Sequence, residues 1–171
     1  MNINKVKARQ KATLETPNPI KAGPLREVAA ALNQLAADFY ALYFKTKNFH
    51  WHVSGPHFRD YHLLLDDQAA QILGATDAIA ERVRKTGNTT LRSIGDIARR
   101  SSIRDNDADF VAPEQMLAEL RDDNLTLVQR FRDVKEAAEE AKDNATSGIV
   151  DDWTDQAEER AWFLFEASRQ S

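Results

Sequence analysis

The sequence predicts an all-α protein built on a four-helix bundle, with one short extra helix in a connection. Apolar residues recur at helical spacing over four long segments, and glycine, proline or asparagine residues separate these segments. No segment shows the strict alternation of a half-buried β-strand. With 171 residues, 42% hydrophobic and 29% charged, the chain suits one globular domain with a sizeable core.

Each predicted helix has a recognisable start or stop signal. Ser54-Gly55-Pro56 ends the first helix, and Gly87-Asn88 ends the second. Ser93 is suited to cap the short helix, and Pro113 is suited to the first turn of the third long helix. The predicted bounds are about 25–52, 57–86, 93–100, 113–143 and 146–171. The short helix therefore lies in the crossover between the second and third long helices.

The apolar stripes of these helices are the candidate core. Each stripe supplies one face of a helix, which must pack against the others. Representative members of the stripes are Phe39, Leu65, Ile72, Leu73, Leu120, Phe131, Trp153 and Trp162.

Residues 1–23 have the composition of a tail, and residues 24–171 form the predicted bundle domain. The tail contains five basic side chains against one acidic side chain, although the chain as a whole carries a net charge of −4. It lacks the apolar centre of a secretory signal, and no apolar run approaches the ~20 residues that span a membrane. Cysteine is absent, which excludes disulfides, thiolate catalysis and zinc–cysteine sites. We expect a cytoplasmic protein without membrane contact.

The most specific chemical signal is a pair of two-residue clusters on the second helix. His62 and Asp66 are four residues apart, as are Asp77 and Glu81, so each pair shares a helix face. Asp66 and Asp77 differ by only ~20° around the axis, so both pairs point the same way. Imidazole with carboxylates is a ligand set for iron(II), manganese or zinc. Either pair alone is also compatible with ordinary surface decoration.

The two pairs are too far apart to bind one ion within one chain. His62 and Asp77 are separated by ~22 Å along a helix, whereas a metal–ligand bond measures ~2 Å. A two-fold dimer with antiparallel helices would join one pair of each chain and create two equivalent sites. His50, just before the turn, is placed to join the His62 pair. An intrachain di-iron site would require Glu-x-x-His pairs, and the sequence has none.

The spacing of these residues resembles that of the Dps miniferritins, the DNA-binding proteins from starved cells. Eleven residues separate His50 from His62, and ten separate Asp66 from Asp77, as in the family motif. The resemblance spans about residues 24–168 and implies a ferritin-like four-helix bundle. Its residues in this chain are His50, Trp51, Gly55, Phe58, His62, Asp66, Asp77, Glu81 and Arg82.

The resemblance implies a ferroxidase whose centre lies between two subunits. His50, His62 and Asp66 would come from one subunit, and Asp77 and Glu81 from its two-fold mate. The family forms a hollow homododecamer, oxidises Fe(II) with hydrogen peroxide in preference to oxygen, and stores the ferric mineral, which protects DNA. Zinc and manganese are alternative ions for the site.

Other residues near the motif have less certain roles. Trp51 would intercept stray oxidising equivalents beside the centre, or simply pack as an aromatic at a helix end. His52 and His57 stand outside the family motif, which favours a solvated or intersubunit role over binding of an additional metal. Asp143 and Asp151 would line an iron-access pore, or act as ordinary acids near a helix N-terminus.

The basic tail suggests nonspecific DNA binding, which would associate the protein with the nucleoid. Twelve weak tails on one shell would raise avidity without new contacts. A solubilising arm is the alternative. For the whole protein the alternatives are a DNA-compacting shell with a structural or weakly active metal site, and a dimer without a cage. The candidate DNA contacts are Lys5, Lys7, Arg9 and Lys11.

Overall fold

The computed structural model describes residues 16–169 together with Ile3 and Leu14. Within residues 16–169 it contains five α-helices and no β-strand, which confirms the predicted all-α class. None of these helices is both long and apolar enough to cross a bilayer. The helices are α1 (Ala22–His52), α2 (Phe58–Lys85), α3 (Ile94–Arg100), α4 (Pro113–Glu140) and α5 (Asn144–Ser168).

The four long helices form the bundle, and α1 is its most connected element. It packs against α2, α3 and α4, while α4 packs against α5. Phe39 of α1 meets Phe131 of α4 edge to face, with ring centroids 5.9 Å apart. Both rings are fully buried, and Phe131 also contacts Trp153 of α5. Three helices are thereby joined through aromatic contacts in the core.

Two predicted core residues lie on the surface instead. Leu73 is 41% exposed and Trp162 is 60% exposed. Each lies beside a residue of the buried stripe, Ile72 and Ala161 respectively. One step along a helix rotates a side chain by about 100°, which turns both residues away from the core.

Most helix ends agree with the predictions to within two residues, but three differ by more: α1 begins at Ala22 instead of about residue 25, α5 ends at Ser168 instead of residue 171, and α4 also ends early. Gly55 and Gly87 adopt φ values of +102° and +82°, as their positions after α1 and α2 require. The third long helix was predicted to reach Asp143, but α4 ends at Glu140. There Lys142 takes φ 58°, and the Asp143 amide donates to the Ala138 carbonyl at 2.8 Å, which closes the helix as a Schellman motif.

A buried carboxylate ties the crossover to the bundle. Asp38 of α1 is 0% exposed and accepts hydrogen bonds from the Ser102 amide (2.5 Å) and from the Ser101 and Ser102 hydroxyls (3.1 Å each). The Ser93 hydroxyl caps α3 by accepting from the Asp96 amide, as predicted. These bonds help to hold a long connection whose short helix has no buried residue of its own.

Described residues of the N-terminal segment contact the bundle. Thr16 and Asn18 make hydrogen bonds to the end of α2. Residues that precede α1 are therefore attached to the bundle. The proposed DNA contacts lie outside the described residues; they are Lys5, Lys7, Arg9 and Lys11.

A second buried carboxylate joins α2 to the start of α5. Asp143, 2% exposed, caps α5 by accepting from the Thr146 amide (3.2 Å) and hydroxyl (2.6 Å). Arg82 of α2 donates to Asp143 Oδ1 at 2.5 Å and to Thr146 Oγ1 at 2.8 Å. Burial alone would raise the pKa of Asp143, but the hydrogen bonds from Arg82 and Thr146 outweigh it, so the pKa is lowered.

We expect Asp143→Asn to destabilise the protein by about 1–3 kcal/mol near pH 7, because it removes a charge-assisted bond from Arg82. Because the pKa of Asp143 is lowered in the folded state, the ionised carboxylate stabilises the wild type fully at pH values above the ordinary carboxyl pKa of about 3.9. The contribution is lost as the pH falls through the folded-state value. Chemical denaturation of both proteins between pH 7 and pH 3 should therefore give converging free energies of unfolding. A difference that stays constant over this range would contradict the prediction.

Candidate metal centre

The turn between α1 and α2 brings the two predicted histidine ligands together. His50 lies in the last turn of α1, and His62 lies just after the start of α2. Their rings stack with centroids 3.8 Å apart and planes inclined by 23°. Phe58 covers the other side of His62 at a centroid distance of 5.0 Å. The turn thus brings the side chains of His50 and His62, twelve positions apart in the sequence, into contact.

Reciprocal hydrogen bonds set the protonation of both rings. His50 Nδ1 lies 2.8 Å from the His62 carbonyl oxygen, and His62 Nδ1 lies 2.9 Å from the His50 carbonyl oxygen. Because a carbonyl can only accept, Nδ1 of each neutral ring must carry the proton. Both Nε2 lone pairs are therefore left free. Metal-binding histidines commonly have this arrangement, in which a carbonyl fixes the ring and the other nitrogen binds the ion.

Asp66 adds a carboxylate to this cluster and is paired with a lysine. Its Oδ1 lies 3.9 Å from His50 Nε2 and accepts a hydrogen bond from Lys47 Nζ at 2.7 Å. The Lys47 bond is the main reason that the pKa of Asp66 is lowered. Sequence reasoning missed Lys47. Its position three residues before His50 on the same helix was a usable signal, since such residues share a face.

The two remaining predicted ligands lie apart from this cluster. Asp77 and Glu81 are exposed on α2, and Glu81 Oε2 is 3.1 Å from Lys85 Nζ. Because α2 is continuous from residue 58 to 85, Asp77 is ~22 Å from His62 along it. Within the described part of a single chain, no three histidine or acidic side chains are close enough together to hold an ion. The five residues thus form two separate groups, and their joint role stays a prediction.

Large apolar side chains are exposed on α1 and α2, the helices that carry the histidine cluster and the Asp77–Glu81 pair. Trp51 is 55% exposed and packs edge to face on Phe44, itself 64% exposed, at 6.1 Å. Lys47 Nζ lies 5.9 Å from the Trp51 ring centroid, so the indole stands next to the Lys47–Asp66 pair. Trp51 is thus outside the bundle core, and its redox role stays a prediction. On α2, Phe58, Leu63 and Leu73 are also exposed.

His52 and His57 take no part in the reciprocal bonds. His52 is exposed, and its Nδ1 lies 2.8 Å from the Asn48 carbonyl oxygen within α1. His57 is exposed beside Tyr61, with ring centroids 5.6 Å apart. The surface position agrees with the solvated role predicted for both residues.

The two predicted pore acids have different surroundings. The Asp143 carboxylate is buried and bonded to Arg82 and Thr146, as described above. Asp151 is exposed on α5 and forms an ion pair with Lys135 of α4. Of the two, Asp151 is the one whose carboxylate faces solvent in the single chain. Pore lining by either residue stays a prediction.

Comparison with known proteins supports a ferritin-like fold. Residues 29–168 match the ferritin-like domain family. The DNA protection during starvation protein of Brevibacillus brevis is 31% identical over 80% of this chain and 91% of its own length. An uncharacterized low temperature-induced protein of Nostoc sp. is 34% identical over 78% of this chain and 75% of its own length.

A solved structure supports the same relationship. The crystal structure of a Dps protein from Bacillus brevis superposes with a TM-score of 0.83 and 27% identity, covering 88% of this chain and all of the other. On these grounds, the chain belongs to the Dps family of ferritin-like proteins.

Proposed function

We propose that this protein is a ferroxidase that oxidises Fe(II), stores the ferric product and thereby protects DNA. The observation that carries the proposal is the reciprocal bonding of His50 and His62, which leaves both Nε2 atoms free; that of His50 lies 3.9 Å from Asp66 Oδ1. Two imidazoles and one carboxylate form a suitable half-site for Fe(II), which accepts both ligand types. Family membership and the ferritin-like fold add independent support.

The second half of the centre is proposed to come from another copy of the chain. Asp77 and Glu81 share the face of α2 that carries Asp66, but they cannot reach it within one chain. Exposed apolar side chains on α1 and α2 lie around these residues, as expected of a surface that another subunit covers. An antiparallel two-fold contact would bring each His62 group to the partner's carboxylate group. The proposal includes assembly into a shell of twelve 19.3 kDa chains, about 230 kDa, and family membership supports it.

The residues of this chain have distinct roles in the proposed reaction. The two Nε2 atoms bind Fe(II) without first losing a proton, because the proton of each ring is already on Nδ1. The carboxylates favour the higher charge of Fe(III) over Fe(II). Two Fe(II) ions would each give one electron to hydrogen peroxide, and two protons would complete two water molecules. Peroxide is then consumed without release of a hydroxyl radical.

Lys47 is proposed to act as the counter-ion of Asp66 before iron arrives. Its ammonium lies 2.7 Å from Asp66 Oδ1, and Lys85 is placed similarly against Glu81 at 3.1 Å. Each half-site thus pairs a carboxylate with a lysine in the free protein. Binding of a divalent cation must displace the Lys47 ammonium from Asp66, which weakens the affinity for the ion.

A second function, nonspecific DNA binding, is supported by the basic tail and by the relative named for DNA protection during starvation. Four cationic side chains on each tail would bind phosphate weakly, and a shell would present many tails together. This function would not require an active metal site.

Fe(II) oxidation by peroxide should fall by about 10- to 100-fold in His62→Ala, Asp66→Ala and Glu81→Ala, because each loses a proposed ligand. His52→Ala, which removes an exposed histidine outside the cluster, is the matched control and should oxidise Fe(II) like the wild type. Stopped-flow absorbance after anaerobic Fe(II) loading measures the rate. Equal rates in all five proteins would exclude the ferroxidase proposal.

Co-assembly of His62→Ala and Glu81→Ala chains tests whether the centre is shared between subunits. A mixed dimer contains one site with both defects and one intact site, so random mixing should restore about a quarter of the wild-type rate. Each variant alone lacks an intact site. If mixing restores nothing while native mass spectrometry shows mixed dimers, the ligands come from one chain.

Lys47→Met should tighten Co²⁺ binding by about two- to fivefold, because the ammonium no longer competes for Asp66. Arg99→Met, which breaks an exposed ion pair with Asp96 on α3, is the control and should have no effect. Isothermal titration calorimetry on both variants and the wild type gives the affinities. Weaker binding in Lys47→Met would mean that Lys47 supports the bound ion instead of competing with it.

Deletion of residues 1–13 should abolish the shift of plasmid DNA on a gel and leave Fe(II) oxidation unchanged. The deletion removes all four proposed DNA contacts and keeps Thr16 and Asn18, which bond to α2. Full-length protein should release DNA steeply as salt is raised, because its binding depends on counterion release. DNA binding that survives the deletion would assign that role to the bundle surface.

A further inference from the structure

The end of α2 is capped by residues far upstream in the sequence. A helix leaves its last four carbonyl groups without an intrahelical partner, and in α2 these belong to residues 82–85. Amides of the following turn bond the first two. The Arg84 carbonyl accepts from Thr16 Oγ1 at 2.7 Å as well as from the Gly87 amide, and the Lys85 carbonyl accepts from Asn18 Nδ2 at 3.0 Å. Two side chains from before α1 therefore complete the cap of α2.

These side chains belong to a segment that we call the strap, consisting of Leu14 and residues 16–20. The contact is returned by Arg84, whose Nη2 donates to the Leu14 carbonyl at 2.6 Å. Asn18 Oδ1 also accepts from the Ile20 amide at 2.9 Å. Prolines at positions 17 and 19 restrict the backbone on both sides of Asn18, which reduces the entropy lost when the strap is ordered. The strap is thus suited to hold one conformation.

The glycine at the end of α2 allows the strap to approach closely. A Cβ atom on Gly87 would lie 3.4 Å from the Thr16 carbonyl oxygen, and the residue already has a positive φ of 82°. A Cβ at that distance would be in van der Waals contact with the strap, and any residue other than glycine would strain the turn through its positive φ. The same glycine therefore ends the helix and admits the capping segment.

The capped turn is next to a proposed iron ligand. Lys85 receives the Asn18 bond on its backbone, while its ammonium lies 3.1 Å from Glu81 Oε2. Both side chains are more than half exposed. Val83, on the other side of this turn, is buried in the core, so the strap holds the exposed side of a turn whose inner side the bundle holds. Without its cap, the last turn of a helix frays, and Glu81 lies only one turn earlier.

We propose that the strap is a positioning element of the metal centre: it holds the last turn of α2 so that Glu81 reaches the iron site of the partner subunit. This inference rests on the proposed ferroxidase function, in which Glu81 is a ligand. Thr16 and Asn18 are positioning residues and touch no iron themselves. Because Thr16 and Asn18 act on the exposed side of this turn, while Val83 anchors its inner side, they affect ion binding more than global unfolding.

The test is Co²⁺ binding to assembled, full-length Thr16→Ala/Asn18→Ala protein, measured by calorimetry with hydrogen exchange in parallel. We expect binding weakened by about three- to tenfold, and about fivefold faster exchange of the Thr86, Gly87 and Asn88 amides. Thr126→Ala removes an exposed hydroxyl that bonds only within α4, so it should change neither quantity. Thr16→Ser, which keeps the hydroxyl donor, should bind Co²⁺ like the wild type.

Glu81→Ala and His62→Ala are measured in the same series to separate the two proposals. If both weaken Co²⁺ binding while the strap variant matches the wild type, the strap inference is overturned and the ferroxidase proposal stands. If neither weakens binding, the ferroxidase proposal itself fails. Should the double variant not assemble, Thr16→Ala alone retains the Asn18 cap and should give an intermediate loss; wild-type affinity in that variant also overturns the inference.

Discussion

The short turn between α1 and α2 is the constraint on which the candidate centre depends. It places the backbone of His50 against the backbone of His62, so that each ring donates to the carbonyl group of the other residue. The His50 carbonyl belongs to the last turn of α1, where an intrahelical donor is lacking, so the His62 ring supplies its hydrogen bond. Gly55, at φ +102°, supplies the backbone conformation that the reversal requires.

Buried polar contacts hold the remaining elements in register around that turn. Asp38 fixes the crossover, and Asp143 links α2 to α5. Inside the bundle, Arg160 is 2% exposed and donates to Asn124 at 2.8 Å, and its own carbonyl accepts from Gln68 at 3.2 Å. Burial lowers the pKa of Arg160 to about 10, at which it is still charged at neutral pH. Packing of the apolar core determines which helix faces contact one another. These directional hydrogen bonds fix the positions of the helices relative to one another along their axes.

Much of the fold could be predicted from the sequence because its signals are local. Helical spacing, two glycines and Ser93 fixed most helix bounds to within a residue or two. The end of α4 was missed because Lys142 adopts a positive φ that favours glycine, so no local signal marked it. The strap was assigned to the tail for a different reason: its bonds join residues 67 and 68 positions apart, which no periodicity can reveal.

The candidate site could be predicted in composition but not in detail. Spacing grouped His62 with Asp66 and Asp77 with Glu81, and it separated the two pairs correctly along one helix. The tautomers of His50 and His62 follow from backbone positions across a turn. The Lys47–Asp66 pair depends on the positions of α1 and α2 relative to each other along their axes. Such quantities are set by tertiary packing.

The placement of both proposed half-sites on one helix, about four turns apart, has a consequence for the newly made protein. Under the proposed function, a freshly folded single chain holds only incomplete centres. Redox chemistry would begin only after subunits meet, when a surface exists to receive the ferric product. The separation of the two half-sites along α2 would then keep a single chain from oxidising iron before assembly of the shell has begun.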